Sequence, residues 1–123
     1  MHLLPKITRI LSRRPSPDFA NGLTTQDLGQ PDIALAMQQY ENYLDALRKM
    51  GLDVTVLDAD ERYPDGHFVE DPMIIFYDLA FVCKSGASAR QGEAEGLLPH
   101  FSDLRVIEIS GDDAFMDGGD ILI

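Results

Sequence analysis

Cysteine is nearly missing from this chain. Cys83 is the one thiol in 123 residues, which excludes an internal disulfide framework and fits a reducing compartment. Basic residues are scarce as well: ten Lys and Arg stand against 21 Asp and Glu, a formal net charge of −11. A surface so short of positive charge does not suit nucleic acid or an anionic membrane as a partner. It suits a small cationic ligand, although many acidic proteins carry such a charge with no ligand in view. No apolar run reaches the ~18–20 residues of a membrane span. The opening Met1-His-Leu-Leu-Pro-Lys6 lacks the apolar stretch and small-residue cleavage site of a signal peptide. A glycine-rich phosphate loop and a Gly-x-Ser-x-Gly elbow are missing too. The expectation is a soluble, cytoplasmic protein with neither a membrane nor a nucleic-acid partner.

What is present reads as one domain with a real core, since 45% of residues are hydrophobic and 25% charged. Lys6-Ile-Thr-Arg-Ile-Leu11 alternates as a strand does. Residues 13–25 follow as a loop, punctuated by prolines and Asn21-Gly22, with Phe19 and Leu23 placed either to cover a site or simply to cross the surface. Pro31 at a first helical position, with Asp32 beside it, predicts a helix whose inward face is Ile33, Met37, Tyr40, Leu44 and Leu47. Arg48, Lys49 and Gly51 end it. Leu52–Leu57 is a strand, completing a β–α–β unit. Met73–Tyr77 and Leu79–Lys84 read as a hairpin, and Ser88 with Gln91 as the capping box of a helix over 89–98, weakened by Gly92 and Gly96. Leu104–Ile109 is another strand, residues 110–115 a loop, and Ile121–Ile123 the start of a further strand with no partner in the chain, the mark of a partial protein.

The stretch with the most chemistry is Tyr63-Pro-Asp-Gly-His-Phe-Val-Glu-Asp-Pro72. Asp65, Glu70 and Asp71 fall within seven residues and repel one another unless something cationic or rich in hydrogen-bond donors meets them. Asp117-Gly-Gly-Asp120 echoes the pattern later. A guanidinium offers five donors in one plane and would satisfy two carboxylates. The residues alone leave this open against an ordinary acidic turn, the commoner use of such a segment. Gly118-Gly119 is likewise either a turn or a close backbone approach to a ligand. A calcium loop over 112–120 lacks the required acid spacing and distal glutamate. His67 has no second His or Cys at ligand spacing, and His2 and His100 read as solvated. Cys83, ending an apolar run, reads as a small buried hydrophobe rather than a nucleophile.

Taken in order, Asn21-Gly-Leu-Thr24, Asp65 with Phe68-Val-Glu-Asp71, Gly86-Ala-Ser-Ala-Arg90 and Asp117-Gly-Gly-Asp120 resemble the dimethylarginine dimethylaminohydrolase family. The likeness runs from about Lys6 to Ile123. It implies the α/β fold of the guanidine-modifying superfamily, a five-bladed α/β propeller (pentein) of ββαβ modules. The chain would then be a single incomplete domain over 1–123, the N-terminal half, with about two modules. It further implies a cysteine nucleophile that attacks a methylated arginine, a histidine acid–base that helps release alkylamine and citrulline, and no metal or organic cofactor.

Position by position, the resemblance gives Asp71 the guanidinium nitrogens, and Asp117 both the substrate cation and the orientation of the catalytic histidine. Asp65 and the Leu23 carbonyl take the α-amino group, Arg90 the α-carboxylate, and Phe68 the methylated end; Glu70 matches the motif. The family's catalytic Cys and His match nothing in these 123 residues, so the chain alone would bind without turnover. The alternatives are a guanidine-binding module with no catalytic role, or another superfamily member such as an arginine deiminase or amidinotransferase. Expected partners are a small cationic guanidine and either a second copy of the chain or a complementing C-terminal half.

Overall fold

The computed structural model describes residues 6–122, so His2 and Ile123 lie outside the described residues. Two compact units divide the chain, the first ending at His67 and the second beginning at Phe68.

The first unit is the expected β–α–β. Strand β1 is Arg9–Arg13 and β2 is Asp53–Leu57, paired parallel from Arg9 opposite Asp53 to Arg13 opposite Leu57. β1 therefore starts three residues later and ends two later than the alternation of Lys6–Leu11 predicts, and Arg13 belongs to the strand rather than the loop. The ladder decides this, because Asp53 N–H donates to Thr8 O at 3.0 Å and Arg14 N–H to Leu57 O at 3.0 Å. Arg13 is buried and donates to Asp58 O at 3.1 Å.

Helix α1 spans Ile33–Lys49. Its cap is Asp32, whose Oδ1 accepts the Leu35 N–H at 3.0 Å, so Pro31 precedes the cap instead of opening the helix. Arg48 and Lys49 close the last turn, and Gly51 turns the chain at φ +79°. Leu44 is fully buried, Met37, Tyr40 and Leu47 are half-buried, and Ile33 at the helix start is exposed. Tyr40 and Ser12 share a hydroxyl hydrogen bond of 2.9 Å that ties α1 to β1.

In the second unit β3, Met73–Phe76, and β4, Leu79–Val82, form the expected antiparallel hairpin around Tyr77-Asp78, with Tyr77 at φ +54°. Strand β5, Arg105–Glu108, pairs parallel with β4. The core is small: Met73, Ala80, Cys83, Ala94 and Leu97 are its buried apolar residues. Between β4 and β5 the predicted helix over 89–98 does not form. Three 3-10 turns replace it, Ser88–Arg90, Glu93–Gly96 and Leu98–Phe101. Gln91 is extended and Gly92 left-handed at φ +105°, which no continuous helix tolerates. The capping box fails with it: the Gln91 amide donates to Ser85 O at 2.9 Å instead of reaching back to Ser88. At the C-terminal end a 3-10 turn covers Gly118–Asp120, and Ile121 and Leu122 are not in a strand. Among the described residues no helix is long and apolar enough to cross a membrane.

Candidate functional site

The segment from Asp60 to Asp71 folds as a run of tight turns, because its Asp, Pro and Gly residues favour reversals over regular structure. Tyr63 N–H donates to Asp60 O, Gly66 N–H to Tyr63 O, and Asp71 N–H to Phe68 O, at 2.9–3.1 Å. The last turn leaves Asp71 directly before β3. Pro72 O then accepts the Cys83 N–H at 2.9 Å, which sets Cys83 across from the acidic segment.

Asp117-Gly-Gly-Asp120 closes on that same turn. Gly118 N–H donates to Asp71 O at 2.7 Å, and Gly119 N–H to Asp71 Oδ1 at 3.1 Å. A Cβ on Gly118 would collide with Glu70 O, and one on Gly119 with Asp71 Oδ1. The two glycines are thus a close backbone approach, and what they approach is the protein's own acidic turn. The loop leading in is held by Lys84, whose Nζ donates to Gly111 O at 2.9 Å and to Asp112 O at 3.3 Å and lies 4.8 Å from the Phe115 ring centroid. Lys84 O also accepts the Met116 N–H at 2.8 Å.

Asp71 and Asp117 consequently line one cavity of about 250 Å³, together with Cys83, Arg90, Glu93 and Glu108. Arg90 donates through Nη1 to Asp71 Oδ2 at 2.6 Å, and through Nε and Nη2 to the two oxygens of Glu93 at 2.9 and 2.8 Å. Burial works against the Arg90 charge, but the hydrogen bonds it donates to Glu93 and Asp71 outweigh it and raise its pKa above the ordinary value. Burial, followed by the charges of Asp117 and Asp71, pushes the Cys83 thiol up to about 11. That thiol is protonated at neutral pH and is not an activated nucleophile.

Of the residues expected at a site, the second unit brings Asp71, Arg90 and Asp117 together. Glu70 and Phe68 are exposed and do not line the cavity; Glu70 meets the Asp-Gly-Gly-Asp loop through its backbone at Gly118. In the first unit Asp65 Oδ2 accepts the Leu23 N–H at 2.9 Å, and a Cβ on Gly22 would collide with Asp65 Oδ1. The Asn21-Gly-Leu-Thr motif and Asp65 are therefore one local arrangement. His67 meets Phe19 edge-on with ring centroids 6.0 Å apart. Among the described residues no three His, Cys, Asp or Glu side chains gather as a metal site. Glu93 and Glu108 are cavity residues that the sequence reading missed. The signal for Glu93 was its three-residue spacing from Arg90.

No family model matches the chain. It is 42% identical over 86 residues to the N(G),N(G)-dimethylarginine dimethylaminohydrolase of Pseudomonas aeruginosa, covering 70% of this chain and 34% of the relative. It is 33% identical over 116 residues to the enzyme of the same name from Streptomyces coelicolor, covering 93% of this chain and 45% of the relative. A solved structure of the Pseudomonas aeruginosa enzyme, a cysteine-to-serine mutant complexed with citrulline, superimposes with a TM-score of 0.90 at 34% identity. The match covers 95% of this chain and 47% of that one. The chain thus spans less than half the length of each. The fold is the α/β pentein type, present in part.

Proposed function

The chain belongs to the dimethylarginine dimethylaminohydrolase family over the part of it that it spans, and from that premise we propose that its acidic cavity binds the guanidinium of a methylated arginine. One observation carries this reading: Asp71 and Asp117, 46 residues apart in sequence, line a cavity whose wall holds five carboxylates against the single guanidinium of Arg90. An excess of negative charge in a partly desolvated space favours a cation, and two carboxylates match the planar donors of a guanidinium.

Asp71 binds the guanidinium nitrogens, using the lone pairs left beside its bonds to Arg90 and Gly119. Asp117 holds the same cation and orients the general acid–base. Arg90 holds the α-carboxylate. In the complete hydrolase a thiolate adds to the guanidinium carbon, and the C–N bond to the methylated nitrogen breaks as that nitrogen takes a proton and leaves as the alkylamine. Water then adds to the thiouronium carbon and expels the thiolate, leaving citrulline. Cys83, buried and protonated, does not supply that thiolate.

The complete protein is expected to release citrulline from dimethylarginine, and Asp71→Ala to abolish that release. Turnover unchanged in the variant would remove Asp71 from the mechanism.

A further inference from the structure

We propose that Glu93 is a positioning residue, which grips the two-donor edge of the Arg90 guanidinium and thereby limits Arg90 to a single contact with Asp71. The inference rests on reading the cavity as a guanidinium site. Glu93 takes Arg90 Nε and Nη2, one oxygen each, at 2.9 and 2.8 Å. The guanidinium is planar, so fixing that edge also fixes where Nη1 points, and it points to Asp71 Oδ2 at 2.6 Å. Asp71 Oδ1 is held from the other side by Gly119 N–H at 3.1 Å. The binding carboxylate is thus set at both oxygens while each keeps a lone pair for a ligand.

The backbone is shaped for this grip. Gly92, left-handed at φ +105°, reverses the chain between the two residues so that Glu93 folds back onto Arg90. Glu93 is 3% exposed in its side chain and Arg90 13%. A buried carboxylate is costly to keep, and an apolar side chain would fill the same space more cheaply. Its value lies in what Arg90 does without it. A guanidinium prefers a two-point pair with a carboxylate. Released from Glu93, the fork of Arg90 swings onto Asp71 and occupies both oxygens, and an internal guanidinium then competes with the ligand's own.

The test compares the chain with Glu93→Gln and Glu93→Asp, the first removing the charge and the second keeping it but withdrawing it by one methylene. Two readouts are taken: calorimetric titration with L-arginine, and the Arg90 side-chain N–H and Asp71 carboxyl resonances without ligand. Both variants are expected to weaken L-arginine binding by about ten- to a hundredfold and to shift the Arg90 and Asp71 signals together. Failure of Glu93→Asp to restore binding is part of the expectation, because charge alone does not hold the fork. If Glu93→Gln does not fold, Glu93→Asp decides. A folded variant that binds L-arginine as the parent does, with the Asp71 signal unmoved, overturns the inference and leaves the cavity reading intact. If the parent itself does not bind, the cavity reading falls. The resonances then decide the role of Glu93 alone: shifted signals uphold its hold on Asp71, and unmoved signals overturn it.

Discussion

Adding one methyl group at each of two adjacent glycines should produce two different defects. At Gly118 the new Cβ meets backbone: it collides with Glu70 O and lies 3.2 Å from Asp71 O and 3.1 Å from Ile74 Cγ1. Neither carbonyl can move without dragging the turn that ends at Asp71, and Gly118 is buried. Overpacking of this kind costs ~1–3 kcal/mol. Loss of the 2.7 Å bond from Gly118 N–H to Asp71 O adds ~1 kcal/mol. Gly118→Ala should therefore destabilise by ~2–4 kcal/mol, lowering Tm by roughly 10 °C or more. At Gly119 the Cβ meets only the Asp71 carboxylate, the mobile end of a side chain. Gly119→Ala should cost ~1 kcal/mol or less, because a side-chain rotation relieves the clash. That rotation moves the binding carboxylate, so L-arginine binding should fall about tenfold while Tm barely changes. Thermal denaturation and calorimetric titration of the two variants separate the effects. A Gly118→Ala protein as stable as the parent, or a Gly119→Ala protein with undiminished binding, would refute the proposed closure of the loop on Asp71.

Cys83 should alkylate slowly with iodoacetamide at neutral pH, its rate rising about tenfold per pH unit until it levels near 11; a plateau near the ordinary thiol value would contradict its burial beside two acids. Between about 9, where an unperturbed thiol loses its proton, and about 11 the unfolded chain binds fewer protons than the folded one, so stability should decline with rising pH there. Cys83→Ala should remove that part of the decline in denaturant titrations. Asp117→Asn should move the alkylation plateau to lower pH, since the Asp117 charge helps raise the thiol, and an unmoved plateau would place Asp117 away from Cys83.

Regular elements were legible where hydrophobic period and end signals agreed. α1 combined a five-residue inward face, all but Ile33 of it buried or half-buried, with Arg48, Lys49 and Gly51 at its end, and the hairpin of β3 and β4 had two apolar runs around Asp78. The segment over 88–101 was misread because its capping pattern is genuine as spacing, yet Gly92 adopts a positive φ that spacing does not reveal. β1 was displaced because alternation begins at Lys6, whereas strand length follows the ladder to β2. At the site, the acidic turn and the Asp-Gly-Gly-Asp echo were visible as isolated oddities. Their convergence on one cation was expected, but not the bonds that make it, a backbone bond from Gly118 N–H to Asp71 O and a bond from Gly119 N–H to the Asp71 carboxylate. Glu93 was missed although its three-residue spacing from Arg90 would have set the two side by side on the expected helix as well; what the spacing does not reveal is that the pair is buried.

Calorimetric titration of L-arginine into the parent chain, Asp71→Asn, Asp117→Asn and the double variant bears most directly on whether two separate loops present one cation site. Each single change should weaken binding by at least about tenfold, and the double should depart from the sum of the singles by ~0.5–3 kcal/mol, as groups sharing one ligand do. A flat titration with the parent chain, or an Asp117→Asn variant that binds as the parent does, would contradict it.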